Sequence, residues 1–177
     1  MTSVPVLGFA AFSGTGKTTL LTKLLPILKA HGLRIGMIKH AHHSFDIDRP
    51  GKDSYELRKA GAEQMLIASR NRWALMVEAD PPAEPQLQAL LPHLDQNALD
   101  LILVEGFKHE RFPKIELHRP SLGHPLLFPE DDTVIAIACD APLPVRTSLP
   151  VLDLNDPGQI ANFILTRFME RDGQDTR

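Results

Sequence analysis

Short apolar runs alternate along the chain with longer stretches in which apolar residues recur every three or four positions. The first apolar run covers residues 4–10 and predicts a buried parallel strand. Residues 17–31 follow with leucines at helical spacing, and Gly32 is placed to end that helix. Residues 34–40 form the next apolar run. This region therefore predicts a strand–helix–strand unit with a right-handed crossover.

The remainder of the chain continues the alternation of strands and helices. A β-hairpin is predicted where apolar runs at 64–69 and 72–77 flank Arg70 and Asn71. Asp156 followed by Pro157 is typical of a helix start, so the last helix is predicted there. The remaining apolar runs, which predict strands, cover residues 99–107 and lie near residues 114, 133 and 149.

The stretch AFSGTGKTT, residues 11–19, carries the clearest chemical signal. It matches the phosphate-binding pattern G-x-x-x-x-G-K-[ST], except that Ala11 occupies the first glycine position. Lys17 is expected to contact the β- and γ-phosphates of a nucleotide, and the Thr18 hydroxyl to bind Mg²⁺. Ala11 is expected to adjust the loop geometry without abolishing the site. The residues predicted to hold the phosphates are Ser13, Gly14, Thr15, Gly16, Lys17, Thr18 and Thr19.

This loop, placed directly after an apolar strand and before a helix, sets the expected fold class. The fold predicted is α/β, of the P-loop NTPase type, with three layers, a mostly parallel sheet and a β-hairpin. A chain of 177 residues favours one domain, so residues 1–177 are predicted to form a single nucleotide-binding domain.

Charge and composition exclude several partners. The 19 basic and 22 acidic residues give a net charge of −3, which offers no basic field for nucleic acid. No segment reaches about 18 consecutive apolar residues, so no membrane span is expected. The single cysteine, Cys139, fits a reducing compartment, and the N-terminal residues lack a basic signal-peptide region. We therefore expect a cytoplasmic protein.

A nucleotide-bound Mg²⁺ needs a carboxylate from a neighbouring strand. Glu105 ends the apolar run LILVEG and is the candidate, either as a direct ligand or through water. Asp100 begins the same strand and would lie at the opposite end, where a structural role is expected.

The loop after the second strand contains three histidines and two aspartates within nine residues, from His40 to Asp48. One interpretation is a switch loop in which Asp46 or Asp48 contacts the metal or positions water. A second is a site for a transition metal, and a third is a solvated polar loop. The sequence leaves all three open.

Four blocks occur in fixed order: AFSGTGKTTLL, IKHAHHSFDID, GKDSYELRKAGA and LDLILVEGFKH. Together they resemble the molybdopterin-guanine dinucleotide biosynthesis adapter family, MobB, over about residues 5–165. The resemblance implies a P-loop α/β fold, a homodimer, GTP and Mg²⁺ as ligands, and weak GTPase activity. It also implies assistance to the molybdenum cofactor guanylyltransferase, with molybdopterin or its guanine dinucleotide as a further ligand. By position, Thr18 and Glu105 would serve Mg²⁺.

Guanine recognition calls for a carboxylate that accepts from both N1–H and the 2-amino group. The N-K-x-D motif that usually supplies it is absent from the sequence. Asp140, at the end of the apolar run TVIAIACD, is the candidate from strand order. An ordinary turn carboxylate before Ala141 is the equally open alternative.

Three other functions compete with the GTP-binding adapter. The same loop could serve a small-molecule kinase, for which Arg111 and Arg119 are available although no lid segment is recognisable. The histidine-rich loop could serve a GTP-dependent metallochaperone, and a non-catalytic interaction module is the last alternative. We expect slow hydrolysis at most, because phosphoryl transfer depends on a catalytic glutamine or arginine that the sequence does not identify.

Overall fold

The computed structural model describes residues 4–41, 45–79, 81 and 83–169. Contacts divide the chain into two compact units. The first unit contains the residues up to His40 and from Gln86 onward, and the second is Ala41–Pro85. The single nucleotide-binding domain over residues 1–177 stays a prediction, and each unit is described by itself.

The observed strands and helices follow the predicted alternation. The strands are β1 (Val6–Ala10), β2 (Ile35–Lys39), β3 (Gln64–Ala68), β4 (Trp73–Val77), β5 (Leu101–Glu105), β6 (Lys114–His118), β7 (Val134–Cys139) and β8 (Val151–Asp153). The helices are α1 (Lys17–Ala30), α2 (Asp53–Lys59), α3 (Leu87–Leu90) and α4 (Pro157–Phe163), the last of which continues as a π-helical segment, Ile164–Phe168.

The first unit is built on a six-stranded parallel sheet in the order β2-β5-β1-β6-β7-β8. β1 lies between β5 and β6, with Phe9 opposite Glu105 on one side and opposite Ile115 on the other. Because all the strands run the same way, their carboxyl ends meet at one edge of the sheet, where ligands of such folds bind. The α/β fold with a parallel sheet is thereby confirmed.

Apolar side chains cover both faces of this sheet. On one face, the buried leucines of α1 and the apolar residues of α4 pack against inward-facing residues such as Leu7, Leu103 and Leu117. Asp156 caps α4 as predicted, because its carboxylate accepts from the Gln159 N–H at 3.0 Å. On the other face a smaller apolar cluster includes Leu87 of α3. These clusters hold the strand ends in fixed positions.

Strand β6 is fully buried although three of its five residues are polar or charged. Lys114 Nζ donates to Asp131 Oδ2 at 2.7 Å and to Thr133 Oγ1 at 2.8 Å. The Glu116 carboxylate accepts from the N–H groups of Leu127 and Phe128, at 2.7 and 2.8 Å. These bonds satisfy the buried side chains of Lys114 and Glu116 and tie the segment between β6 and β7 to the sheet.

The second unit contains the predicted hairpin and a short helix. β3 and β4 pair in antiparallel register, with Leu66 opposite Leu75. The Arg58 side chain of α2 is buried and contacts three carboxylates, those of Asp46, Asp48 and Glu78. Because these carboxylates come from separate segments of the chain, Arg58 joins the loop before α2 to the strand end after β4.

Candidate functional site: a phosphate loop between β1 and α1

The loop of residues 11–16 connects β1 to the amino end of α1. Gly14 has φ 80° and Gly16, the residue that precedes the helix, has φ 98°. Both values lie in the left-handed region that favours glycine. A Cβ at Gly14 would meet nothing within 4 Å, so the backbone here is open to an incoming group. The loop therefore has the backbone conformation and the space that an anion requires.

The Lys17 ammonium lies against its own loop. Nζ donates to the carbonyl oxygen of Ala11 at 2.9 Å and to that of Phe12 at 3.2 Å. Burial lowers the pKa of Lys17, and the nearby Glu105 carboxylate acts in the opposite direction. Both hydrogen-bond acceptors are neutral, so a phosphate oxygen would be the stronger partner for this cation. Ala11 contributes to this arrangement through its backbone carbonyl group, which alanine supplies as well as the glycine of the common pattern.

The hydroxyl groups of the loop have different environments. Thr15 is buried and its Oγ1 donates to the Phe12 carbonyl oxygen at 2.9 Å, which braces the loop from inside. Ser13, Thr18 and Thr19 are exposed. The Thr18 hydroxyl is thus accessible to a cation, as its predicted role requires, while the Thr15 side chain is committed to the loop itself.

Glu105 ends β5 beside the strand that leads into the loop. Its side chain is largely buried, and Oε2 lies 3.5 Å from Nζ of Lys39 at the end of β2. The oxygen-only chemistry of a carboxylate and a hydroxyl suits Mg²⁺, so Glu105 and Thr18 fit this metal by donor type. Their role as its ligands stays a prediction. Sequence reasoning missed Lys39 as a partner of Glu105.

The turn after Glu105 packs tightly against the end of β2. Gly106 has φ 99°, and a Cβ there would lie 2.6 Å from the Cβ of His40. Phe107 has φ 52°, unusual for a residue with a side chain, and its ring stacks on the His40 ring with centroids 4.8 Å apart. The backbone N–H of His40 also donates to the Glu105 carbonyl oxygen, at 2.8 Å. His40 is therefore packed at the strand end.

Asp140 directly follows β7 at the same edge of the sheet. Its carboxylate accepts from Nη1 of Arg119, the residue that follows β6. Nε of the same guanidinium donates to the Thr15 carbonyl oxygen at 2.9 Å. The structure thus links Asp140 to the phosphate loop through Arg119. Sequence reasoning named both residues but missed this connection, because nothing in the pattern pairs positions 21 residues apart.

The second unit contains the predicted Asp46. Its Oδ1 accepts from Arg58 Nη2 at 2.7 Å and from the Asp48 N–H at 3.1 Å. The hydrogen bond from Asp48, together with Arg58, lowers the pKa of the Asp46 carboxyl group. His42 and His43 lie outside the described residues. Among the residues that are described, no three His, Cys, Asp or Glu side chains form a group that could hold a metal ion.

No helix within the described ranges has the length and apolar character needed to cross a membrane.

Similarity to known proteins identifies the family. Residues 6–140 match the family model of Molybdopterin guanine dinucleotide synthesis protein B, MobB. The Escherichia coli molybdopterin-guanine dinucleotide biosynthesis adapter protein is 53% identical over 97% of this chain and 98% of its own. The Haemophilus influenzae adapter protein is 46% identical over 91% of this chain and 88% of its own. The crystal structure of Bacillus subtilis MobB superposes with a TM-score of 0.70, at 25% identity over 92% of this chain and 96% of its own. The chain therefore belongs to the MobB family.

Proposed function

We propose that this protein is an adapter in molybdopterin-guanine dinucleotide biosynthesis that binds GTP with Mg²⁺ in the loop of residues 11–19. The observation that carries the proposal is the Lys17 ammonium, held on neutral carbonyl oxygens within an open glycine loop at the carboxyl edge of a parallel sheet. Family membership and similarity along nearly the whole E. coli adapter protein support the pathway.

The loop residues have separate tasks in this proposal. Backbone N–H groups from Ser13 to Thr19 donate to phosphate oxygens, and Lys17 supplies positive charge. The Thr18 hydroxyl and the Glu105 carboxylate hold Mg²⁺, which would neutralise phosphate charge when bound. Asp140 reads the guanine base. Asp46, in the second unit, is proposed as a metal-binding or water-positioning group. To bind a metal ion, its carboxylate would have to release Arg58.

Hydrolysis by the isolated chain is proposed to be weak. Arg119 contacts the loop, and its guanidinium is committed to the Thr15 carbonyl oxygen and the Asp140 carboxylate. Fast phosphoryl transfer requires an arginine directed at the transferred phosphoryl group, in addition to the loop lysine and Mg²⁺. The protein would therefore act mainly through its nucleotide-bound form, in the cytoplasm, as a helper of the molybdenum cofactor guanylyltransferase. Molybdopterin or its guanine dinucleotide would be a ligand shared by this protein and the guanylyltransferase.

We also propose a homodimer, as the family resemblance implies. One face of the hairpin in the second unit presents Leu66, Trp73, Leu75 and Val77, all exposed. A contiguous apolar sheet face of this kind marks an association surface in soluble proteins. A second copy of the chain would cover this face with the same face of its own hairpin, since symmetric pairing is the commonest arrangement for homo-oligomers.

Calorimetric titration with GTP and with ATP, each in the presence of Mg²⁺, tests the nucleotide assignment. We expect GTP to bind more tightly than ATP, and removal of Mg²⁺ to weaken GTP binding. Tighter binding of ATP would overturn the assignment of GTP. Co-purification of the tagged chain with the guanylyltransferase tests the pathway, and its failure in the presence of GTP and molybdopterin would contradict the adapter role.

A further inference from the structure

Arg119 makes two contacts that join separate parts of the first unit. Its Nε donates to the Thr15 carbonyl oxygen at 2.9 Å, and its Nη1 donates to Oδ2 of Asp140. The guanidinium is planar and rigid, so these two acceptors are fixed relative to one another. Arg119 also lies against Gly16, where a Cβ would be 3.7 Å from its Nη2. The side chain therefore spans from the phosphate loop to the end of β7.

The backbone on both sides of this link is held by the sheet. Arg119 follows His118 and Asp140 follows Cys139, and these two residues are register partners in β6 and β7. Both are buried. The Glu116 carboxylate further anchors the segment that leaves β6, through the N–H groups of Leu127 and Phe128. Neither end of the Arg119–Asp140 pair can drift without disturbing a buried strand.

This pair differs from an ordinary surface ion pair. Arg111 and Asp132 form such a pair nearby in the chain, and their side chains are 74% and 73% exposed. The Arg119 and Asp140 side chains are 30% and 20% exposed. Partial burial strengthens the ionic hydrogen bond, and the additional bond to a neutral carbonyl oxygen orients the guanidinium without competing for its charge.

Asp140 retains the capacity to bind a second group. Its described hydrogen bond uses Oδ2, and each carboxylate oxygen has two acceptor sites. Guanine presents two parallel donors, N1–H and the 2-amino group, which a carboxylate can accept together. Base and triphosphate are parts of one covalently linked ligand, so this recognition is strongest when the carboxylate is held at a set distance and angle from the phosphate loop.

We propose that Arg119 is a positioning residue for base recognition, which holds the Asp140 carboxylate in register with the phosphate loop. This inference rests on the proposed binding of GTP. Arg119 sets specificity through Asp140 and contributes to the binding of the phosphates only by bracing the loop. The consequence is that loss of Arg119 weakens discrimination at position 2 of the purine more than it weakens binding in general.

The test compares GTP with ITP, which lacks the 2-amino group, and with XTP, which carries an oxygen there. Fluorescence competition measures the affinities of the full chain and of four variants. The variants are Arg119→Ala, Arg119→Lys, Asp140→Asn and the surface control Arg111→Ala. We expect the unaltered chain and Arg111→Ala to prefer GTP over ITP by about tenfold or more, the value of one hydrogen bond to a charged group. Arg119→Ala should bring this ratio close to one.

The other two variants sharpen the result. Arg119→Lys keeps the charge but cannot hold both acceptors in a plane, so an intermediate GTP-to-ITP ratio is expected. Asp140→Asn should favour XTP over GTP, because an amide can donate to the 2-oxygen of xanthine while accepting from N1–H. Thermal unfolding of each free variant shows whether it is folded, and Arg119→Lys replaces Arg119→Ala if the latter is not.

The outcomes separate this inference from the proposed function. An Arg119→Ala chain that loses affinity for GTP and ITP by the same factor would make Arg119 a loop brace only and overturn the proposal. A GTP preference unchanged in Asp140→Asn would overturn it as well, with nucleotide binding intact. Absence of GTP binding by the unaltered chain would instead defeat the proposed function.

Discussion

The Lys17 ammonium lies 2.9 Å from the carbonyl oxygen of Ala11, six residues earlier in the same loop. Ala11 is the position where the phosphate-binding pattern calls for glycine, and its backbone supplies an acceptor for the residue that the pattern needs most. The backbone of the loop therefore holds the Lys17 ammonium in place. In the proposed complex, the ammonium group exchanges these neutral carbonyl oxygens for phosphate oxygens. The proposed nucleotide affinity depends on that new contact.

Replacement of Lys17 by alanine should weaken GTP binding about 10-fold to 100-fold, since a hydrogen bond to a charged group contributes about 1.5–3 kcal/mol. Titration calorimetry measures the effect. Lys23→Ala is the matched control, because Lys23 is an exposed lysine on the same helix. Equal affinities for the two variants would contradict the assigned role of Lys17.

Gly106 is expected to be intolerant of a side chain. In Gly106→Ala, the new Cβ would lie 2.6 Å from the Cβ of His40, at φ 99°. Left-handed backbone strain for a residue with a side chain costs about 1–3 kcal/mol, and displacement of His40 adds to it. Chemical denaturation measures the loss of unfolding free energy.

Gly123→Ala separates the two contributions to that loss. Gly123 has φ 69°, but a Cβ there would meet nothing within 4 Å. This variant should therefore show the backbone strain alone. If Gly106→Ala proved no more destabilised than Gly123→Ala, the His40 side chain would give way to the new methyl group without cost, and the predicted steric contribution would be wrong.

The buried carboxylate of Glu116 gives a prediction about the segment that follows β6. Burial raises the pKa of Glu116, while the N–H groups of Leu127 and Phe128 act against that shift. Glu116→Ala would leave two N–H donors without their acceptor, at about 1–3 kcal/mol each. Glu130→Ala, at an exposed residue of the same segment, should change the unfolding free energy by much less. Similar losses in both variants would mean that the carboxylate does not anchor the segment.

The sequence predicts the parts of this structure that depend on repeated local pattern. Apolar runs identify β1 and β5, and leucine spacing identifies α1, because both faces of the parallel sheet are covered by apolar residues. Glycine and lysine at fixed spacing identify the phosphate loop. The hairpin of β3 and β4 follows from two apolar runs around a short turn.

The sequence does not reveal contacts between distant polar residues. Lys114, Glu116 and His118 alternate with apolar residues, which by itself indicates a strand with one solvated face. The strand is buried because partners arrive from the segment after it, such as Asp131, which has no periodic relation to Lys114. The bridge from Thr15 through Arg119 to Asp140 is of the same kind, since it joins three segments that only the sheet order brings together.

Asp100 gives a prediction about stability at low pH. Its carboxylate accepts from Nε and Nη2 of Arg34 and from the Arg34 backbone N–H, at 2.7–2.9 Å. These hydrogen bonds lower the pKa of Asp100 to about 2, from an ordinary value of 3.8. A carboxyl group with a depressed pKa in the folded state stabilises the protein above its unfolded pKa. That stabilisation is lost as the pH falls from 3.8 through about 2.

The comparison of the unaltered chain with Asp100→Asn measures this effect. The difference in unfolding free energy between them should be constant above about pH 5 and shrink as the pH approaches the folded pKa. Urea denaturation at a series of pH values provides the measurement. A difference that grows as the solution becomes more acidic would have the wrong sign for a carboxyl group with a lowered pKa.

The apolar face of the hairpin should control self-association. Trp73 is 67% exposed and Leu66 is 60% exposed, and the strand register places both on the same face of β3 and β4. An aspartate at either position would introduce a charge that is costly to bury between two copies of the chain. Trp73→Asp and Leu66→Asp should therefore shift the protein from dimer to monomer. Sedimentation velocity measures this shift against the unaltered chain at matched protein concentrations. Leu122→Asp, at an exposed leucine of the first unit, should leave the dimer intact. A dimer that persists in both hairpin variants and dissociates in Leu122→Asp would place the interface on the first unit instead, and the hairpin face would then require a different partner.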